Sequence, residues 1–253
     1  EDGLRLVARR ARLMDEAPGR GRMAAVLAPR ERVEPLAGDV AIAAANSPAN
    51  TAISGAADAV EEATRRLRAE GLTVHPLEVS HAFHSPLMDP ILDEIESAAG
   101  SVATRPPAIR FYSDLTGAAY EGPFDGRYWR RHTRSTVQFH AALAALLADG
   151  ARILIEIGPH PVLLGLARDA SLPDEVVSVP SLRRGSEAWS VLVEAAARVH
   201  VAGAAIDARG FDRGHTRRRV TAPTYPFERQ HHGFAARRRR SAALDGRSRR
   251  TPR

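Results

Sequence analysis

Between residues 23 and 79 the hydrophobic period of the chain changes from element to element, and the order of the changes restricts the fold. "MAAVLA" (23–28) reads as a strand and "ERVEPLA" (31–37) as a short helix weakened by Pro35. "VAIAAAN" (40–46) and "TAISG" (51–55) are strands on either side of the turn "SPAN" (47–50). "AADAVEEATRRLRAE" (56–70) is a helix with Val60, Ala63, Thr64 and Leu67 inward, closed by Gly71. "LTVHPLEV" (72–79) is a strand carrying Leu72, Val74 and Leu77. The order βαββαβ is the split-βαβ, or ferredoxin-like, pattern.

Helix and strand signals flank this unit on both sides. Residues 3–17 read as a helix whose apolar stripe is Leu4, Val7, Ala8, Ala11 and Met14, stopped by "PGRG" at 18–21. "SPLMDPILDEIESAAG" (85–100) is a helix with Ser85 as N-cap and Pro86 at its first position. "PPAIRFYSDLTGAAY" (106–120) holds two short strands. "DGRYWRRHT" and "STVQFHAALAALLADG" are helical, joined near Arg134 and Ser135. "ARILIEIG" (151–158) alternates Ile153, Ile155 and Ile157 and is expected to be buried. A loop-to-helix stretch, "PHPVLLGLARD", a strand, "VVSVPSL", and an amphipathic helix over 186–203 follow. Beyond about residue 205 the chain is polar except for "APTYPFERQ" (222–230).

Charge is uneven. The net charge is +6, yet residues 235–253 hold eight Arg against one Asp, so the rest of the chain sums to −1. The basic character therefore belongs to a tail expected to be disordered, and a functional nucleic-acid role is not expected without a basic patch on the body. All basic residues are Arg. With no cysteine there is neither a disulfide framework nor a thiolate nucleophile or metal ligand. No run reaches the roughly 18–20 apolar residues of a membrane helix and no export signal is visible, which together lead to the expectation of a cytoplasmic protein.

The chemistry concentrates in "EVSHAFHSPLMDP" (78–90), where His81 and His84 flank Phe83. Taken alone, such a pair at a strand-to-helix junction is more often structural. Metal binding needs further ligands, and the spacing to Asp89 and Asp93 matches no metal motif. A general base remains open, because imidazole titrates near working pH. Arg10 lies at the edge of the first helix's stripe, either solvated or turned inward to grip a carboxylate. Asn46 ends a strand in a turn-forming Asn-Ser-Pro. "GPHPVLLGL" (158–166) is a strand–turn–helix junction, where α/β folds place sites, although a rigid loop is the simpler reading of His160. No Gly-x-Ser-x-Gly nucleophile elbow occurs in the 253 residues.

These segments together resemble the acyltransferase domain of a type I polyketide synthase, in its C-terminal portion and following linker. The resemblance rests on "LRLVARRARLM" (4–14), "AIAAANSPANTAISG" (41–55), "VSHAFHSPLMDPILDE" (79–94), "YWRRHTRSTVQF" (128–139), "LIEIGPHPVLLGL" (154–166) and "APTYPFERQ" (222–230), which follow in family order. It implies an α/β fold: a partial α/β-hydrolase-like large subdomain (1–21 and 80–182) with a ferredoxin-like subdomain (22–79) inserted. A C-terminal helix and linker (183–234) and the Arg-rich tail (235–253) complete the expected organisation.

The resemblance also implies a reaction, transfer of an acyl group from coenzyme A to the phosphopantetheine thiol of an acyl carrier protein through an acyl-serine, with no bound cofactor or metal. His84 matches the catalytic histidine and Arg10 the arginine that binds the extender's free carboxylate. His81 and Phe83 occupy specificity positions in a form associated with malonyl units, Asn46 is site-proximal, and the carbonyl near Ser135 orients the histidine. Tyr225, Pro226 and Phe227 would dock on a neighbouring ketosynthase. The family's serine precedes the first helix and is not in this sequence, so the chain is expected to be inactive alone. A noncatalytic remnant or docking segment of a synthase is the alternative.

Overall fold

The computed structural model describes residues 1–230 other than Arg20, Ser80, His215, Arg217, Arg219 and Arg229; the tail expected at 235–253 lies outside the described residues. Strand β1 (Gly21–Val26), helix α2 (Arg30–Ala37), strands β2 (Ala41–Ser47) and β3 (Asn50–Ala56), helix α3 (Ala57–Ala69) and strand β4 (Val74–Pro76) follow α1 (Asp2–Asp15) in the predicted order. They form a four-stranded sheet, β2-β3-β1-β4, in which every neighbouring pair is antiparallel. The period of two decides what each face does. Ala24 and Val26 of β1 join Val33, Ile53, Val60, Ala63 and Leu67 in a core beneath α2 and α3. Met23 points to the other face, with Ala43, Ala44 and Ala52, and packs against Phe83 and Val137. Central strand β3 is buried along almost its whole length because both faces are covered. β4 is shorter than the sequence pattern predicts: Leu77 still donates to Met23 O (2.9 Å), but its side chain is exposed.

The second face carries the rest. A 3₁₀ turn over Pro86–Ile91 leads into α4 (Leu92–Gly100), in place of one uniform helix from residue 85. Pro90 has no N–H to donate, which accounts for the tighter start. Ser85 caps it as expected, accepting from Leu87 N. The hairpin β5 (Tyr112–Ser113) and β6 (Ala118–Ala119) precedes α5 (Gly126–Arg134) and α6 (Phe139–Ala148). α4 and α5 approach closely at Gly126, where a Cβ would stand 2.3 Å from Glu96 O.

The helix predicted to start at Ser135 starts four residues later. Residues 135–138 run beside β2, with Val137 N donating to Ala43 O (2.8 Å) and Ala45 N to Val137 O (2.8 Å). β-branched Thr136 and Val137 suit this extended segment. Thr136 Oγ1 adds a bond to Ile42 O (2.7 Å).

Two readings of apolar periodicity are overturned. α1 buries Leu6, Leu13 and Met14, while Leu4 is 78% and Val7 61% exposed. The stripe is rotated, and Arg10 lies in the buried register one turn from Leu6 and from Leu13. β7 (Ile153–Glu156) pairs in parallel with β8 (Val177–Pro180), covered by α8 (Ala188–Val201) through Val179, Ala195 and Val199. Ile155 and Ile157, expected to be buried, are exposed, Ile157 at 89%. Alternation reports that a strand is fit for burial on a face; it does not supply the layer that buries it. α7 (Val162–Asp169) likewise exposes Val162 and Leu163.

Residues Glu1–Ile206, α8 included, form one compact unit, and a second begins at Asp207. In the second, α9 (Ala208–Phe211) is followed by an irregular stretch in which Tyr225 and Phe227 are about three-quarters exposed, their rings 5.1 Å apart. No helix among the described residues is long and apolar enough to cross a membrane.

Candidate active site

His84 occupies a backbone conformation with φ 58°, a left-handed geometry that L-residues other than glycine seldom adopt. Its neighbours hold it there. Phe83 packs into the core beneath the sheet and also against Leu13, Met14, Met88 and Ile95. Ser85 is fully buried, and its hydroxyl donates to Ala82 O (2.6 Å). Ala82 sits so close to β1 that a Cβ on Gly21 would stand 2.3 Å from its own. A strained residue persists only where its surroundings over-determine it, and such residues cluster at functional sites.

The His84 ring is oriented by one bond, Nδ1 to Ser135 O at 2.9 Å. A carbonyl can only accept, so Nδ1 carries a proton, and in the neutral ring Nε2 is the free base. The Ser135 carbonyl is itself fixed by the pairing of Thr136 and Val137 to β2. Burial pushes the His84 pKa down, and the nearby His132 and Arg10 charges act in the same direction; the Ser135 bond and Asp114 oppose them. The result favours the unprotonated base. His84 faces a polar cleft of about 510 Å³ that is also lined by Arg30, Glu34, Arg134 and Thr136.

Arg10 comes from α1, and its guanidinium carbon stands 5.9 Å from the Trp129 ring centroid, over the ring. Its Nε is buried without a hydrogen-bond partner among the described residues. Burial lowers its pKa, with only the Asp114 charge opposing. A half-buried cation with an unmet donor is chemically suited to a carboxylate.

Of the other expected site residues, His81 and Phe83 are adjacent, their rings 6.1 Å apart. Phe83 is thus a packing residue that joins two core clusters and carries the His81 ring beside it. Asn46 donates through Nδ2 to Asn50 Oδ1 (3.0 Å) across the β2–β3 turn, and no hydrogen bond joins it to His84 or Arg10. Tyr225, Pro226 and Phe227 lie in the second unit.

Three residues here were not singled out from the sequence: Trp129, His132 and Asp114. Trp129 and His132 lie on one side of α5, with Tyr128 stacked on His132 (6.0 Å, 27°). His132 Nε2 lies 3.2 Å from Asp114 Oδ1. The His132 pairing, the largest influence, and nearby charges hold the Asp114 carboxyl below its usual range, against the effect of burial. The signal available was "YWRRHT" as a helical face rather than as a motif. Asp114 gave none, being one of many aspartates in turns. Among the described residues, no three His, Asp or Glu side chains gather as a metal ligand set.

Known proteins share this architecture. The acyltransferase domain from the second module of the salinomycin polyketide synthase superposes with a TM-score of 0.79 at 34% identity, over 88% of this chain and 54% of that one. The acyltransferase domain of SpnD, solved in complex with 2-(pent-4-yn-1-yl)malonyl, gives 0.75 at 32%, over 80% and 50%. In sequence, the spectinabilin polyketide synthase system protein NorB of Streptomyces orinoci is 39% identical over 91% of this chain and 11% of its own length. The mycoketide-CoA synthase of Mycobacterium tuberculosis is 41% identical over 91% and 6%. The chain thus spans about half of these solved domains and a small share of those synthases. The family model described as acyl transferase domain matches residues 1–206, and the chain belongs to that family, in the branch found in polyketide synthases.

Proposed function

We propose that this chain supplies the base and the carboxylate clamp of an acyltransferase that moves a malonyl-type unit from coenzyme A to the phosphopantetheine thiol of an acyl carrier protein. The observation that carries the reading is the pairing of His84, held with Nε2 free by Ser135 O, with Arg10, whose buried Nε lacks a partner among the described residues. In the first half-reaction His84 accepts the proton of a serine hydroxyl as its oxygen attacks the thioester carbonyl, and returns a proton to the departing coenzyme A thiolate. In the second it takes the proton of the carrier's thiol, which attacks the acyl-serine ester, and hands that proton to the departing serine oxygen, so that the serine hydroxyl and the neutral base are restored. Arg10 holds the free carboxylate through both steps. The malonyl preference is assigned to His81 and Phe83, whose rings lie 6.1 Å apart.

The sheet order β2-β3-β1-β4 supports reading 22–79 as a ferredoxin-like insert. The parallel pair β7–β8, with its uncovered apolar side, supports reading the remainder as part of an α/β-hydrolase-like subdomain. Exposed Tyr225 and Phe227, with Pro226 between them, are assigned to docking on a ketosynthase, in keeping with the enrichment of aromatics at interfaces. Carrier protein and synthase domains in the cytoplasm are the partners this reading requires.

Because residues 1–253 contain no Gly-x-Ser-x-Gly, the chain alone is expected to form no acyl adduct when incubated with radiolabelled malonyl-CoA. Joined to the residues that precede this region in a solved acyltransferase domain, it is expected to acquire label on the serine. Stable label on the isolated chain, or none on the completed domain, contradicts the reading.

In the completed domain Phe83→Ser is expected to improve methylmalonyl over malonyl selectivity by about 10-fold or more, one methyl being worth about 1–3 kcal/mol. Competition between the two thioesters reads it; an unchanged ratio removes Phe83 as the steric determinant. Denaturation of the same variant separates this effect from lost packing.

A further inference from the structure

Two neighbours of Arg10 on α1 spend their charge at the surface, Arg5 on Glu1 and Asp2 and Arg9 on Glu94 (2.9 Å). Arg10 turns inward, and among the described residues no carboxylate lies within ion-pairing distance of it; Asp114 acts on it only as a charge further off. What its guanidinium faces is the Trp129 ring, at 5.9 Å from carbon to centroid. An aromatic face attracts a cation through its quadrupole and engages none of the cation's N–H donors. A carboxylate in that place would take the same donors that a substrate's carboxylate needs.

Resting on the reading of Arg10 as the carboxylate clamp, we propose that Trp129 is the positioning residue of that clamp: its ring seats the guanidinium while leaving the donors open, and so sets the selectivity for thioesters that carry a free carboxylate.

The ring is locked to the helix that carries Arg10. Trp129 packs against the cluster of Leu13, Met14, Met88, Ile91 and Ile95. Leu13 and Met14 follow Arg10 by three and four positions and so share its face of α1. From its own helix, α5, the Tyr128 and His132 rings meet it edge-on at 5.7 and 5.6 Å. The indole Nε1 is buried without a hydrogen-bond partner among the described residues. An unpaired buried donor is costly, so no hydrogen bond accounts for where this ring lies. Packing and the guanidinium over its face do.

The test compares malonyl-CoA with acetyl-CoA in the completed domain. Trp129→Leu keeps apolar bulk and removes the π face, and the malonyl-to-acetyl ratio of kcat/KM is expected to fall by about 5-fold or more. Trp129→Phe restores a face and should lie between Trp129→Leu and the parent. A purely structural role lowers both thioesters together and leaves the ratio alone. A second measurement needs no catalysis and no Trp129 variant that folds. The chain holds two tryptophans, so 5-fluorotryptophan labelling gives two ¹⁹F resonances, assigned with Trp189→Phe. Arg10→Ala should move the Trp129 resonance and leave that of Trp189 in place. An unchanged Trp129 resonance, a parental ratio in Trp129→Leu, or a Trp129→Phe ratio as low as that of Trp129→Leu overturns the proposal. Arg10→Ala in the same assay separates the two claims. A ratio that collapses there but not in Trp129→Leu leaves the clamp standing and removes Trp129 from it, whereas a parental ratio in Arg10→Ala strikes the clamp itself.

Discussion

Replacing His84 by alanine in a domain completed with its nucleophile is expected to lower acyl transfer by about 10²–10⁴-fold, the usual worth of a positioned general base. Single-turnover acylation read by mass spectrometry checks it, because it isolates the first half-reaction from thiol capture. The pH dependence carries the sign. Burial, and behind it the His132 and Arg10 charges, lowers the His84 pKa, so the neutral base persists to lower pH than a free imidazole allows. The acid limb of the rate profile should therefore fall below the ordinary imidazole range, near 6.5, and should be absent in His84→Ala. The same shift bears on stability. An unfolded His84 binds its proton more readily than the folded one, so this residue's contribution is complete above the unfolded pKa and declines as pH falls through it. A variant that transfers at the parental rate removes His84 from the mechanism.

The second large effect is at Arg10. Arg10→Ala is expected to reduce kcat/KM for malonyl-CoA by about 10²-fold or more, since two charge-assisted hydrogen bonds are lost and the carboxylate is left unpaired in a half-buried site. Acetyl-CoA, which has no free carboxylate, should lose little, so the discrimination between the two thioesters collapses. Arg10→Lys should rescue poorly, because an ammonium cannot reproduce the planar fork or its seat over Trp129. Steady-state comparison of both thioesters on one preparation gives the ratio without reference to the concentration of active enzyme. A ratio equal to the parent's would remove the clamp.

How far these residues could be read in advance depended on the kind of information each needed. The βαββαβ order was legible because strand and helix periods are local properties, and the turn at Ser47–Asn50 and the Ser85 cap are local too. The α1 stripe was misread because Leu4, Val7 and Met14 fit a helical face as well as Leu6, Leu13 and Met14 do. Periodicity names candidate faces, and the partner surface chooses among them. That choice moved Arg10 from the edge of the stripe into the buried register, where its chemistry lies. Ile155 and Ile157 show the converse, a correct strand whose expected burial the described fold does not provide.

Within the site, the sequence by itself determined the residue types: an imidazole at 84, a guanidinium at 10, and a capped turn starting at Ser85 that ends the loop carrying His84. Tertiary structure alone decided which atoms meet. The Ser135 carbonyl reaches His84 Nδ1 across 51 positions because Thr136 and Val137 pair with β2. Asp114 reaches His132 because the β5 turn and α5 converge there. Such contacts join segments far apart in the chain, and no local pattern encodes them. They exist only once the sheet's second face is covered, and burial then lowers the pKa of His84.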